Sequence, residues 1–277
     1  MKFKLISRKG NNNSDHSSKT KSPVGFKRKI YYSVLVVGVA LLVTAALIFV
    51  YRLIEEGTAR DEYETVRELF FGSVPAESEG NIPADTDDFV EEIETLPYEE
   101  AESLRLNLEE LFEINNDFIG WISIGGLIEY PVVRGNDNHR YINTTFMGER
   151  NPAGAIFMDY RNTQGFDETI SVLYGHLTRD RTMFSELHRF RDSNFLAENP
   201  YIEITTLGGD ILVYQVFAAI VTDVWNPAYT LSFTNTARAI SGFPNTPRDA
   251  DRFMLLSTCT LGPDDDERLL VFAAFAE

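Results

Sequence analysis

The sequence predicts a mainly β fold, a closed barrel or sandwich of eight strands, preceded by helices and by one transmembrane helix. Three observations carry this. Past Asp117, short β-type runs alternate with Gly, Pro, Asn and Asp breakers. Upstream of it, apolar residues recur at helical spacing. Further upstream, the 22 residues 30–51 hold no charge and are rich in Val, Leu and Ala.

The apolar run comes first. A helix of that length covers about 33 Å, enough for a hydrocarbon core. Tyr31, Tyr32 and Tyr51 stand at its ends, where amphipathic rings favour the interface. Lys27, Arg28 and Lys29 abut one end and acidic residues follow the other, which predicts a cytoplasmic N-terminus and an external C-terminal part. A cleaved signal peptide is the other reading. Its apolar region is usually about 7–15 residues, and no small-x-small site follows here.

Next come the helices. Tyr63, Val66, Leu69 and Phe70 keep helical spacing, as do Phe89, Val90 and Ile93, and then Leu104, Leu108, Leu111 and Phe112. Gly72, Pro75, Gly80 and Pro83 mark a linker at about 72–84. A stalk or a set of packing helices fits this stretch. The eight strand runs are 121–124, 128–133, 155–159, 169–174, 201–206, 211–221, 253–258 and 269–275, with Gly208-Gly209-Asp210 as a hairpin turn between the fifth and sixth. Residues 182–190 instead place Met183, Phe184, Leu187 and Phe190 at helical spacing. The resulting domain order is a basic tail (1–29), a membrane anchor (30–54), an acidic helical stalk or linker (55–100) and the β domain with its own leading helix (101–277).

Composition narrows the function. With 44% hydrophobic residues, the 277-residue chain buries enough apolar surface to fold. A single cysteine excludes a disulfide scaffold and a thiolate-only metal site. The net charge of −17 argues against nucleic acid as a partner. That charge is polar along the chain. Residues 1–30 hold nine Lys/Arg against Asp15, whereas residues 55–100 hold sixteen acidic residues against two arginines.

Three residues then stand out. Cys259 ends a strand run beside a loop, where it is either a buried filler or a reactive thiol. An ordinary thiol, with a pKa of about 8.5, is only slightly ionised at pH 7, so a nucleophile needs a base or a cation. Of the four histidines, His16 lies in the basic tail, and His139 and His188 fit surface or packing positions. His176 follows a strand run and Gly175, either as a base or as a hydrogen-bonded loop histidine. Arg268 opens the last strand, either paired with residues 264–267 or as a fixed cation whose fork of donors suits an oxyanion.

These segments together resemble the class B sortases. Leu256-Ser257-Thr258-Cys259 resembles the TLxTC signature, with Leu255 at the usual Thr position. Tyr174-Gly175-His176 with Thr182-Met183-Phe184 resembles the YGH…MF block, and Arg268 stands where the family's arginine is expected. Residues 117–133 and 154–162 are similar to class B patterns, and Arg140-Tyr141-Ile142-Asn143 to a segment carrying a substrate-pocket asparagine. The likeness covers roughly residues 100–277.

The resemblance implies a closed eight-stranded sortase-type β-barrel and a membrane-anchored cysteine transpeptidase. Cys259 would cleave a C-terminal sorting motif of secreted proteins at a Thr–Gly or Thr–Asn type bond, through a thioacyl intermediate. An amine of the peptidoglycan precursor would resolve it at the outer face of a Gram-positive membrane. His176 would move the proton and Arg268 would stabilise the oxyanion. Asn143, Ser257 and Thr258 would contact substrate, with no cofactor and no metal. A hydrolytic cysteine peptidase and a non-catalytic sortase-like binding domain are the alternatives. Two segments depart from the pattern: Leu177-Thr178-Arg179 after the histidine, and residues 225–250, where only 236–240 reads as a short helix. Asp264, Asp265 and Asp266 read as a solvated loop before a calcium site. All seven lysines lie at or before Lys29. Either the chain has drifted toward arginine or a lysine-free domain spares its own acyl intermediate.

Overall fold

The computed structural model describes residues 24–72, 98–232, 250–260 and 266–276, with 236, 240, 243 and 247. Residues 1–23 of the basic tail, the helical spacing at Phe89–Ile93, the linker beyond Gly72, most of the 236–240 helix and Asp264–Asp265 lie outside these residues, while residues 24–29 of the tail are helical. The chain divides between Tyr51 and Arg52 into two units. The first holds the stretch Tyr31–Tyr51, 21 residues of helix long and apolar enough to cross a membrane, with every residue exposed. A helix apolar on all sides has no polar face to turn toward water.

The second unit is a β-barrel with helices packed on it. Helix α1 (Val24–Phe71) ends where Gly72 takes a positive φ of 68°, a left-handed cap that glycine adopts without strain. The helix's last turn is held from helix α2 (Tyr98–Ile114), since Asn107 Nδ2 donates to the Phe70 carbonyl at 3.0 Å. Residues 59–70 are a packing helix: Ala59, Tyr63, Val66 and Phe70 are buried, with the Phe70 ring stacked 4.2 Å from Trp121. In α2, Leu108 and Leu111 turn inward, Leu104 packs against them, and Phe112 stays 37% exposed. Arg105 bridges Glu102 and Glu109 on the wet face.

Eight strands follow: β1 (Phe118–Ile124), β2 (Ile128–Val133), β3 (Ile156–Met158), β4 (Ile170–Tyr174), β5 (Tyr201–Thr206), β6 (Ile211–Asp223), β7 (Phe253–Cys259) and β8 (Glu267–Phe275). They close in the order β1-β2-β3-β4-β7-β8-β6-β5. The β2–β3 and β4–β7 pairs are parallel and the others antiparallel. The β5–β6 turn is the expected one, with Gly209 at φ 88°. The 182–190 stretch becomes a 3-10 helix, Ser185–Arg191, and a short helix α3 (Ser193–Glu198) follows.

Alternation along β7 separates two cores. Met254 and Leu256 point into the barrel with Leu269, Val271 and residues of every other strand. Phe253 and Leu255 point outward into a second cluster with Ile170, Val172, Leu270 and Phe272. Ala228 and Ile240, from the connection between β6 and β7, cover that outer cluster.

Candidate active site

The same alternation places the chemistry. No bulge interrupts β4–β7 or β7–β8, so Ser257 and Cys259 follow Phe253 and Leu255 onto the outer face. Arg268 follows Leu270 and Phe272, and Tyr174 follows Ile170 and Val172. Cys259 is the direct cross-strand partner of Arg268, and Tyr174 of Ser257. Opposed residues on one face have Cβ atoms about 4.5–5.5 Å apart.

His176 is delivered by the end of β4. Gly175 N–H donates to the Ser257 carbonyl at 3.1 Å, which extends the ladder one residue beyond the strand. The Phe184 ring packs so closely on Gly175 that a Cβ there would lie 2.6 Å from it. The loop then folds back, with Phe184 N–H donating to the His176 carbonyl at 3.1 Å and Leu177 bridging to Met183. His176 Nε2 is bonded to the Ile142 carbonyl at 2.6 Å. A carbonyl only accepts, so Nε2 carries a hydrogen.

His176, Cys259, Arg268, Ser257 and Thr258 line one groove of about 610 Å³. Thr258 is on the opposite parity to its neighbours and is only 2% exposed. Asn143 lies elsewhere: it caps the 3-10 turn Arg140–Ile142, is exposed, and does not line the groove. Of the polar and aromatic lining residues, Asn138 and Tyr229 escaped sequence reasoning, and His139, expected at a surface or packing position, lines the groove as well. They sit in connections with no period to read, although an aromatic beside Asn226-Pro227 was a visible signal. Tyr229 Oη shares a hydrogen bond of 2.7 Å with Ser257 Oγ. Burial pushes the Tyr229 hydroxyl up, against the pull of Ser257 and of the Arg268 cation. His188, expected to pack, is instead bonded through Nε2 to the Cys259 carbonyl at 2.9 Å. Arg268 Nη1 donates to the Glu267 carbonyl at 2.9 Å.

A thiol, an imidazole and a guanidinium in one groove on a closed barrel are the groups that a cysteine acyl transfer requires. The Sortase domain family model matches residues 123–276. Sortase B of Staphylococcus aureus is 29% identical over 250 residues, covering 84% of this chain and 93% of that protein. A Staphylococcus aureus sortase B–substrate complex is 25% identical with a TM-score of 0.59, covering 81% of this chain and 99% of that one. A sortase B complexed with triglycine is 25% identical with a TM-score of 0.60, covering 80% and 99%. The chain belongs to the sortase family, as a class B sortase, and is a cysteine transpeptidase. Enzymes of this kind anchor proteins to the cell wall.

Proposed function

We propose that Cys259, His176 and Arg268 carry out the transfer of a secreted protein from its C-terminal sorting motif to an amine of the peptidoglycan precursor. The observation that carries this is the shared groove, with Cys259 and Arg268 paired across β7–β8 and His176 brought beside them by β4. The Cys259 thiolate attacks the scissile carbonyl carbon, and the π electrons move to oxygen. Arg268 faces that oxyanion with a fixed cation. With Nε2 committed to the Ile142 carbonyl, His176 Nδ1 gives its proton to the departing amine. The C–N bond breaks and a thioester remains. An incoming amine attacks the thioester, His176 takes its proton, and the C–S bond breaks to release the new amide and the thiolate.

Ser257 and Tyr229 contact the motif from the groove wall. The substrate and triglycine complexes of the relatives support an acyl donor and an amine acceptor for this site. The apolar stretch Tyr31–Tyr51 anchors the chain in a Gram-positive membrane, with the basic tail inside and the barrel outside. A tether at the surface where donor and acceptor meet raises their effective concentration.

The test uses the full-length chain in detergent, because residues 59–70 belong to the core. It is incubated with a peptide library bearing Thr–Gly and Thr–Asn bonds and with triglycine, and products are read by mass spectrometry. The expected product carries triglycine, and Cys259→Ala yields none. Hydrolysis without transfer would assign the site to a peptidase. Absence of any thioacyl adduct would assign it to a binding domain.

A further inference from the structure

One wall of the groove is built on a buried charge that the transfer itself does not use. Asp159, just past β3, is fully buried, yet its carboxylate accepts five hydrogen bonds. Oδ1 accepts from the backbone N–H of Arg161 at 3.0 Å and from its Nε at 2.8 Å. Oδ2 accepts from Arg161 Nη2 at 2.7 Å, Tyr174 Oη at 2.9 Å and Asn138 Nδ2 at 3.0 Å. Burial alone would push this carboxyl up. The donors from Arg161, Tyr174 and Asn138 outweigh it and hold the group below the usual aspartate range. A buried carboxylate that stays charged needs such a complete set of partners.

Every one of those partners leads into the groove. Asn138 and Tyr174 line it. Arg161 Nη2 also donates to the Tyr229 carbonyl at 3.0 Å. Tyr229 stacks on Tyr174, with rings 6.3 Å apart and 9° from parallel, and its hydroxyl meets Ser257. One carboxylate therefore ties together the loop carrying Asn138, the end of β4, and the connection between β6 and β7. None of its bonds goes to Cys259, His176 or Arg268.

We infer that Asp159, gripped by Arg161, is a positioning residue that holds Asn138, Tyr174 and Tyr229 as a preformed wall for the sorting peptide, and so sets donor affinity and motif selectivity. The inference rests on the groove being the donor site of the transpeptidase. A wall ordered in advance spares the peptide the cost of ordering it on binding. Asp159 itself, buried, touches no substrate.

The test compares wild-type full-length chain in detergent with Asp159→Asn and Arg161→Lys. Asp159→Asn keeps the shape and loses the charge. Arg161→Lys keeps the charge and loses the fork that reaches both Asp159 and Tyr229. Three quantities are read: KM and motif preference across the Thr–Gly and Thr–Asn library, KM for triglycine, and the pH profile of Cys259 alkylation by iodoacetamide. Donor KM is expected to rise about tenfold or more, the loss of a charged hydrogen bond, with motif preference flattened. Triglycine KM and the alkylation profile are expected to hold. Should Asp159→Asn fail to fold, Arg161→Lys carries the same comparison, because Arg161 is 41% exposed. An unchanged donor KM in a folded variant, or an alkylation profile that moves with it, overturns the inference. A wild-type chain that forms no thioacyl adduct overturns instead the donor-site reading beneath it.

Discussion

Tyr63→Phe tests whether helix α1 is part of the catalytic unit or only leads to it. Tyr63 is 7% exposed, and its Oη donates to the Gly154 carbonyl at 2.7 Å and accepts from Phe146 N–H at 3.2 Å. Burial, and secondarily the Glu62 charge, raise its pKa well above the ordinary tyrosine value, so the hydroxyl stays neutral and serves both roles. Phenylalanine keeps the ring and its edge contact with Tyr130 at 5.3 Å. The substitution therefore opens almost no cavity, and its cost lies in two buried backbone groups left without partners. At about 1–3 kcal/mol for each such group, the loss is about 2–6 kcal/mol. For a unit of this size that lowers the melting temperature on the order of 4–24 °C. Gly154 also packs against the Ile142 carbonyl that holds His176, so turnover is expected to fall alongside stability. Circular dichroism melts of the full-length chain in detergent measure the first effect. Tyr160→Phe, at a site 45% exposed, serves as the control. A Tyr63→Phe melt within about 2 °C of wild type would refute the argument that this hydroxyl pins the helix to the barrel.

Arg268→Lys keeps the charge and loses the fork, and acylation measured before steady state is expected to slow by about 10²–10³-fold at an unchanged melting temperature; a fully active lysine variant would show that charge alone suffices. His188→Ala removes the bond to the Cys259 carbonyl, and kcat is expected to fall by about 3–10-fold with donor KM unchanged; equal kcat would reduce His188 to packing. Burial raises the Glu203 carboxyl, and the Glu129 charge raises it further. The folded chain thus holds that proton more tightly than the unfolded one, a stabilisation present at low pH and lost as pH rises through the folded value. Glu203→Gln is therefore expected to gain on wild type in urea denaturation as pH rises above the ordinary glutamate value of about 4.3, and a constant difference would contradict this. His139→Lys places an amine on the groove of a domain that has none, and mass spectrometry with donor peptide is expected to find the enzyme acylated on that lysine.

All eight strands were legible because each alternates or runs apolar between breakers, and their observed limits differ from the expected ones by a few residues at most. Cys259, His176 and Arg268 could be placed at strand ends for the same reason. The resemblance of its segment points to Asn143 for the groove, and the local geometry differs: Asn138, His139 and Ile142, which precede and end the 3-10 turn Arg140–Ile142, line the groove, while exposed Asn143 is its C-terminal cap. The connection around Tyr229 carries no periodicity, so its part in the wall had no sequence signal beyond an aromatic near a turn. For residues 55–118 the pattern fitted a stalk and a packing helix equally. The apolar stripe of Ala59, Tyr63, Val66 and Phe70 decides for packing only once Trp121 is known to lie beneath it.

Strand β7 explains how one short sequence serves folding and chemistry together. Its even positions Met254 and Leu256 face the barrel interior, Thr258 of the same parity is buried at the groove's edge, and its odd positions, Phe253, Leu255, Ser257 and Cys259, face out. A slip of one residue would carry Cys259 into the interior and break the pairing with Arg268 and the ladder to Tyr174 at once. The register is held by the four large apolar residues before the site, not by the site itself. Changes at Met254 or Leu256 therefore act on stability through the interior cluster. Changes at Ser257 act on the groove through Tyr229. The polar residues at the end of β7 remain free to be chosen for acyl transfer because the apolar residues ahead of them have already fixed where they stand.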